Sequence, residues 1–199
     1  MSKKRMLRLE DIGERNVIET LKRILNKRKG RNVTVGIGDD CAVIDIGREY
    51  LLVTTDMITA GSHVPAQMTP LQIGWFVVAV NLSDIAAKGG RPLGIVTALG
   101  LPRTTHVDFV GKVAMGMDAC AAEFGTSIVG GDTKEGKELT ITGTALGTVP
   151  KKELMLRTGA GAGDIVAVTG TLGKAGAGCC SLKHQLGLKE AEGALLEPY

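Results

Sequence analysis

Aromatic residues and long apolar runs are scarce in this chain of 199 residues. Phe, Trp and Tyr make up only 3% of the sequence, whereas glycine occurs 28 times. The core must therefore be built from aliphatic side chains with many tight backbone turns, which is typical of α/β and α+β enzymes. No apolar run reaches the roughly 18 residues of a membrane span, and residues 1–13 lack the apolar stretch of a signal peptide. We therefore expect a cytoplasmic protein that makes no membrane contact.

Cysteine motifs are also missing. The four cysteines show no CxxC spacing, and no histidine lies at the distance along the chain that zinc ligands need. The cysteine spacing therefore indicates neither a structural zinc site nor a disulfide framework, and we expect reduced thiols. The residues concerned are Cys41, Cys120, Cys179 and Cys180.

The net charge of +3 comes mainly from a basic stretch at the start of the chain. Aromatic residues interleaved with the charges, and any known nucleic-acid recognition motif, are missing from it. We therefore interpret the stretch as a solvated face and expect no nucleic-acid partner. Its residues are Lys3, Lys4, Arg5, Lys22, Arg23, Lys27, Arg28, Lys29 and Arg31.

Helical and strand-like patterns alternate up to Pro150. Apolar residues at helical spacing predict helices over 14–27, over 70–87 after the N-cap and proline Thr69-Pro70, and over 105–124. Strand-like runs lie between them, with TSIVGGDT leading into a Gly-Gly-Asp turn and ELTITGTALGTVP alternating as a half-buried antiparallel strand does. These patterns predict an α+β fold whose strands outnumber the helices that cover them, so a partner subunit could supply the missing cover.

The pattern changes after Pro150, where a basic linker precedes a Gly/Ala-rich segment that reads as strand, turn and helix. We predict a domain over residues 1–150. Residues 151–199 are then a linker and the beginning of a second domain, because about 40 residues are fewer than most independent domains contain.

Acidic residues recur at the ends of apolar elements, beside glycine or hydroxyl residues. Buried carboxylates are costly unless they are paired, and Mg²⁺ is the cation that suits oxygen ligands together with nucleotide phosphates. Strand alternation places Thr54 and Asp56 on one face and Thr55 on the other, so a bend would be needed to use all three. The acidic residues are Asp39, Asp40, Asp56, Asp84 and Asp132.

Each of these residues also has a simpler interpretation. An Asp can be a turn former, an N-cap or half of an Asp–Lys helix pair, and Asn81, Asp84 and Lys88 do form a polar stripe at helical spacing. Closely placed glycines, as in GIGDD and VGGD, let backbone amides approach a phosphate, but neither segment is a P-loop or a GxGxxG motif. Arg157 is either a phosphate ligand or a solvated linker charge.

Together, the segments GIGDDCAVI, VTTDM, AGSHV, VNLSDIAAKGGRP and VGGDT resemble the thiamine-monophosphate kinase family, which is related to aminoimidazole ribonucleotide synthetase. The resemblance runs from about residue 9 to the end of the chain. It implies ATP-dependent phosphorylation of thiamine phosphate with Mg²⁺ bound. It also implies a mixed or antiparallel N-terminal sheet, with helices on one face, that pairs across a homodimer into a barrel. The family's Ser-Asp-Gly motif is not found before Tyr199.

The resemblance also implies roles for individual residues. The metal ligands would be Asp40, with Asp39 in support, and Thr54, Thr55, Asp56, Asp84 and Asp132. Gly131, Asp132 and Arg157 would contact ATP, and His63 would contact thiamine phosphate. Lys88 stands where the family usually has methionine, which would bring a positive charge near Asp84.

Three functions remain open from the sequence. The first is direct phosphoryl transfer, which needs no general base because a phosphate acceptor is already ionised near neutral pH. The second is a non-catalytic ATP- and metal-binding dimerisation fragment. The third is a sister ATP-dependent enzyme of the same superfamily.

Overall fold

The computed structural model describes residues 8–27 and 30–196, so Lys3, Lys4, Arg5, Arg28 and Lys29 of the basic stretch lie outside the described residues. In chain order the elements are α1 (Leu9–Leu25), β1 (Val33–Val35), β2 (Ala42–Asp45), β3 (Glu49–Thr59), α2 (Pro70–Ala87), β4 (Arg91–Leu101), α3 (Val107–Glu123), β5 (Ile128–Glu135), β6 (Thr140–Pro150), α4 (Lys174–His184) and α5 (Lys189–Leu196).

The strands form one six-stranded sheet in the order β1-β2-β3-β6-β4-β5. All neighbours are antiparallel except β4 and β5, which are parallel, so the sheet is mixed. The central pair, β3 and β6, keeps one register along its whole length, from Glu49 opposite Pro150 to Thr59 opposite Thr140. The predicted α+β class and mixed sheet are confirmed.

Helix α2 forms the centre of the core. Its start follows from the sequence, because the Thr69 side chain accepts a hydrogen bond from the Gln72 amide and proline occupies the first turn. Among the described residues, α2 is long and apolar enough to span a membrane, by length and composition only. In the structure it packs between α3 and the sheet, which is how a core helix of a soluble domain reaches this composition.

Two glycines bring α2 and α3 into close contact. A Cβ atom on Gly74 would lie 1.9 Å from the Val113 carbonyl oxygen, and one on Gly116 would lie 1.9 Å from the Leu71 carbonyl oxygen. Neither backbone contact can be relieved by a rotamer change. The small residues therefore allow the helices to pack backbone against backbone over the sheet.

The two faces of the sheet differ in their environment. Alternate residues of β3 and β6, such as Leu52 and Ala145, are buried beneath α2. Their neighbours face the other way and include Thr55, which is exposed, and Leu146, which is half-buried. We call this second side, which no helix within residues 8–27 and 30–196 is seen to cover, the open face.

Two expectations about local structure are wrong. The Gly-Gly-Asp segment is not a turn, because Gly130, Gly131 and Asp132 lie within β5 and pair with β4. Residues 158–170 contain no strand, since the chain there is irregular and exposed and becomes helical only at Lys174. The domain boundary near residue 150 coincides with the end of β6 and stays a prediction.

Candidate functional site

The helix-facing side of β3 brings the first group of predicted residues together. The Thr54 hydroxyl donates a hydrogen bond of 2.5 Å to Asp84 Oδ2 on α2. Asp56 lies two residues further along the same face of β3, and its charge is near enough to Asp84 to influence its pKa. Strand alternation and the last turns of α2 therefore place a hydroxyl and two carboxylates on one side of the sheet.

Asn81 holds the backbone at this point. It is fully buried, and its side-chain oxygen accepts a 3.0 Å hydrogen bond from the Asp56 amide while its nitrogen donates to the Val77 carbonyl at 2.8 Å. A Cβ atom on Gly143, which is opposite Asp56 on β6, would lie 2.3 Å from the Asn81 side-chain nitrogen. The glycine thus makes room for the amide that positions Asp56.

The second group is formed by the Asp pair of GIGDD. The Lys88 ammonium, at the end of α2, contacts Asp39 Oδ1 and lies 3.0 Å from Asp40 Oδ2. Arg157 Nε donates to Asp40 Oδ1 at 2.8 Å, and the Arg157 backbone amide donates to Asp39 Oδ2 at 3.2 Å. Lys88 therefore pairs with Asp39 and Asp40. The positive charge that the sequence predicted near Asp84 is thus the charge that compensates this Asp pair.

The two groups differ in their electrostatics. Burial raises the pKa of Asp84, and the negative charges of Asp56 and Asp40 raise it further, whereas the hydrogen bond from Thr54 lowers it. For Asp40, the hydrogen bond from Arg157 is the main cause of a lowered pKa. Burial would raise the pKa of Asp39, but its hydrogen bonds, led by the one from Lys88, outweigh burial and lower it. The cations thus stabilise the ionised Asp pair, whereas Asp84 makes no ion pair within the described residues and the nearby charge of Arg157 does not outweigh its burial.

Other predicted residues lie elsewhere. Thr55 is on the open face and donates to the Gly143 carbonyl oxygen at 2.8 Å, since β3 has no bend. Asp132 is paired in register with Ala98, and β5 lies three strand spacings, about 14 Å, from β3. A Cβ atom on Gly131 would lie 1.9 Å from the Thr97 carbonyl oxygen, so this glycine allows close strand packing.

His63 lies apart from both groups. Its Nδ1 is 2.7 Å from the Ser62 hydroxyl, in the connection between β3 and α2. It lines a cavity of about 670 Å³ between residues 60–67 and the end of α4, a volume within the range of small-molecule sites.

The ligand chemistry fits Mg²⁺ even though the protein supplies few ligands. Among the residues that the structure describes, no three His, Cys, Asp or Glu side chains are placed to hold a metal ion by themselves. Mg²⁺ in nucleotide sites commonly uses only one or two carboxylates, with water and phosphate completing the octahedron. Asp84, Asp56 and the Thr54 hydroxyl are such a set of hard oxygen ligands.

Comparison with known proteins shows the family to which the chain belongs. A family model described as AIR synthase related protein, N-terminal domain, matches residues 38–149, which is more than half of the chain. The chain belongs to this family. The matched region begins within the GIGDD segment and ends one residue before the end of β6, so it contains both groups of carboxylates and strands β2 to β6, whereas β1 precedes it.

Within the AIR synthase related proteins, the chain is similar to thiamine-monophosphate kinases. It is 44% identical to that of Methanospirillum hungatei over 137 residues, which are 69% of this chain and 47% of the relative. It is 36% identical to that of Methanocaldococcus jannaschii over 179 residues, which are 89% of this chain and 54% of the relative. The resemblance found in the sequence is confirmed, and the chain spans about half the length of the curated relatives it matches.

A solved structure supports the same relation. AaThiL complexed with AMPPCP and TMP superimposes with a TM-score of 0.86 at 29% identity, over 97% of this chain and 61% of that chain. Nearly the whole chain therefore shares its fold with part of AaThiL.

Sequence reasoning missed two features of this site. The role of Gly143 is one, since nothing in ELTITGTALGTVP distinguishes it from the other glycine of β6. The other feature is the pairing of Lys88 with Asp39 and Asp40. A signal for the second existed, because a lysine at the last turn of an apolar helix must find an anion if it is buried.

Proposed function

We propose that this protein is a thiamine-monophosphate kinase, which transfers the terminal phosphoryl group of ATP directly to thiamine phosphate and forms ADP and thiamine diphosphate. The observation that carries this proposal is the convergence of Thr54, Asp56 and Asp84 on one face, beside the Asp39–Asp40 pair. Such a set of oxygens suits a reaction whose main requirement is alignment of two phosphates and neutralisation of their charge.

In this proposal Asp84, Asp56 and Thr54 hold Mg²⁺, and Asp40 reaches it once Arg157 has moved. When bound, the metal ion neutralises the charge of the phosphoryl oxygens. Arg157 is 63% exposed and can turn from Asp40 to an ATP phosphate, which a guanidinium binds through two nitrogens. No residue is needed as a general base, because the second pKa of a phosphate monoester is about 6.

The remaining predicted residues belong to other parts of the molecule. We propose that His63 contacts thiamine phosphate from the cavity between residues 60–67 and α4. Gly131 and Asp132 remain candidates for ATP, and Asp132 and Thr55 for metal, from the other side of the sheet. A homodimer in which two open faces form a barrel would bring a second subunit against Thr55 and Asp132, and we expect this assembly in the cytoplasm.

The experiment is an assay of thiamine diphosphate formation from thiamine phosphate and ATP with Mg²⁺ present. Asp84→Asn and Asp56→Asn should each lower kcat by orders of magnitude with little change in unfolding, because each amide removes a ligand charge without changing the side-chain size. The matched control is Asp108→Asn, which removes an exposed carboxylate on α3 that pairs with Lys112.

Three outcomes distinguish the candidate functions. Product formation that depends on Asp84 supports the kinase. Binding of Mg-ATP without product, measured by calorimetry, supports a nucleotide-binding dimerisation module. Product formation with a purine precursor in place of thiamine phosphate supports a sister enzyme, and near-normal turnover of Asp84→Asn at saturating Mg²⁺ contradicts the metal assignment.

A further inference from the structure

The Lys88 side chain is a buried charge. Its exposed fraction is 1%, the lowest of any lysine whose ion pair the structure describes. Transfer of an ammonium group from water into the protein interior is costly unless an anion compensates for it. Its two anionic partners are themselves little exposed, at 8% for Asp39 and 16% for Asp40. The three charges therefore form one unit at the end of α2.

Every carboxylate oxygen of this unit has a donor. Asp39 Oδ1 accepts from Lys88 and from the Asp40 amide, and Asp39 Oδ2 accepts from the Arg157 amide. Asp40 Oδ1 accepts from the Arg157 guanidinium, and Asp40 Oδ2 lies 3.0 Å from Lys88. A divalent ion can reach the pair only if it displaces one of these donors.

The two cations differ in how readily they can leave. Arg157 is 63% exposed and belongs to an irregular segment, so its guanidinium can return to water. Lys88 is enclosed, and removing its ammonium would leave two buried carboxylates with like charge side by side. Lys88 is therefore the permanent cation of the pair, and Arg157 is the exchangeable one.

We infer that the Lys88 ammonium is a built-in cation that occupies, on the Asp39–Asp40 pair, the place of a divalent metal ion. Lys88 thus reduces by one the number of ions that the acidic side chains bind. It leaves one metal site, the Thr54–Asp56–Asp84 group, which Asp40 joins only through the oxygen that Arg157 releases. This inference rests on the proposed function only in assuming that the second group binds metal.

The test is a count of bound Mn²⁺ in nucleotide-free protein, by electron paramagnetic resonance, for wild type and Lys88→Met. Methionine keeps most of the length of the buried side chain and removes its charge. We expect Lys88→Met to bind one more Mn²⁺ ion per chain than wild type. We also expect its Tm to rise more than that of wild type on addition of Mn²⁺, because an ion that binds only the folded state stabilises it.

Two further variants exclude a merely structural role. Lys151→Met removes another lysine–aspartate pair, at 2.6 Å from Asp45, and should leave the Mn²⁺ count unchanged. The double variant Lys88→Met/Asp39→Asn removes one carboxylate as well, and it should lose both the additional ion and the additional rise in Tm. If Lys88→Met fails to fold without metal, preparation in Mn²⁺ should restore it.

The inference is overturned if Lys88→Met and wild type bind the same number of ions, or if Mn²⁺ raises the Tm of both equally. It is also overturned if the double variant retains the additional ion. Failure of the proposed function gives a different result, because a protein that makes no thiamine diphosphate can still show the difference in Mn²⁺ count between wild type and Lys88→Met. Conversely, an active kinase with equal counts refutes only the role of Lys88.

Discussion

Substituting Gly143 tests how the sheet positions Asp56. An added methyl group would meet the Asn81 side chain, whose nitrogen would be 2.3 Å and whose Cγ would be 2.9 Å away. Overpacking of a core typically costs about 1–3 kcal/mol. If Asn81 moves instead, a buried amide loses its bonds to the Asp56 amide and the Val77 carbonyl, at about 1–3 kcal/mol for each group left unsatisfied. Because the protein must accept one of these two costs, we expect Gly143→Ala to lower the free energy of unfolding by about 1–3 kcal/mol.

The measurement is urea unfolding of Gly143→Ala and of Gly100→Ala, a matched control on β4. A Cβ atom on Gly100 would lie 3.6 Å from the Thr140 Cβ, which is ordinary contact, so the control should change stability by no more than about 1 kcal/mol. The double variant Gly143→Ala/Asn81→Ala should be more stable than the sum of the single effects predicts, since the clash is then gone. Equal stability of the two glycine variants, or full additivity, would refute the reasoning.

The remaining predictions concern the other packing surfaces. Gly74→Ala should destabilise the fold by about 1–3 kcal/mol, because a Cβ atom there would meet the backbone of α3. Gly111→Ala, whose Cβ atom would have nothing within 4 Å, should stabilise α3 by up to about 1 kcal/mol. Thermal unfolding measures both effects, and a Gly74→Ala variant as stable as wild type would contradict the close packing of α2 against α3. Leu146→Glu on the open face should convert the proposed homodimer to a monomer in sedimentation, while Met115→Glu on the exposed side of α3 should not; equal masses for the two variants would rule out this interface.

Much of the fold follows from local signals in the sequence. Thr69 and Pro70 predict the first turn of α2 because a hydroxyl cap and a fixed φ both favour helix initiation, and α2 begins there. The alternation over residues 140–150 predicts a half-buried strand, and β6 shows that burial pattern at every residue. These elements are specified by the period of their own side chains, so no knowledge of their partners was needed.

Elements that depend on a partner were predicted less well. Glycines and Asp132 favour a turn by their intrinsic preferences, yet β4 supplies a parallel partner that keeps residues 130–132 in a strand. The Gly/Ala-rich run after Thr158 has strand-forming residues, such as Ile165 and Val166, that are 93% exposed and pair with nothing in the described chain. Propensity alone does not make a strand without an adjacent edge.

The candidate site was predictable to the same extent. Alternation along β3 separates Thr55 from Thr54 and Asp56, and the unbroken register with β6 leaves it on the open face. Pairings across the fold, such as those of Lys88 with the Asp pair and Asn81 with the Asp56 amide, depend on how α2 lies on the sheet. That geometry is set by packing at Gly74 and Gly116, which periodicity does not report.

The two carboxylate groups are best understood as two solutions to the same electrostatic problem. Acidic side chains near one another and partly buried must either bind protons, bind metal or pair with protein cations. The Asp39–Asp40 pair uses Lys88 and Arg157, and the pKa of both carboxyls is lowered. Asp84 makes no ion pair within the described residues, and its burial and the charges of Asp56 and Asp40 raise its pKa against the Thr54 hydrogen bond and the nearby charge of Arg157. If Asp84 is a metal ligand, as we propose, added Mg²⁺ should have its largest effect there, because Asp84 is the carboxylate of the two groups whose pKa is raised.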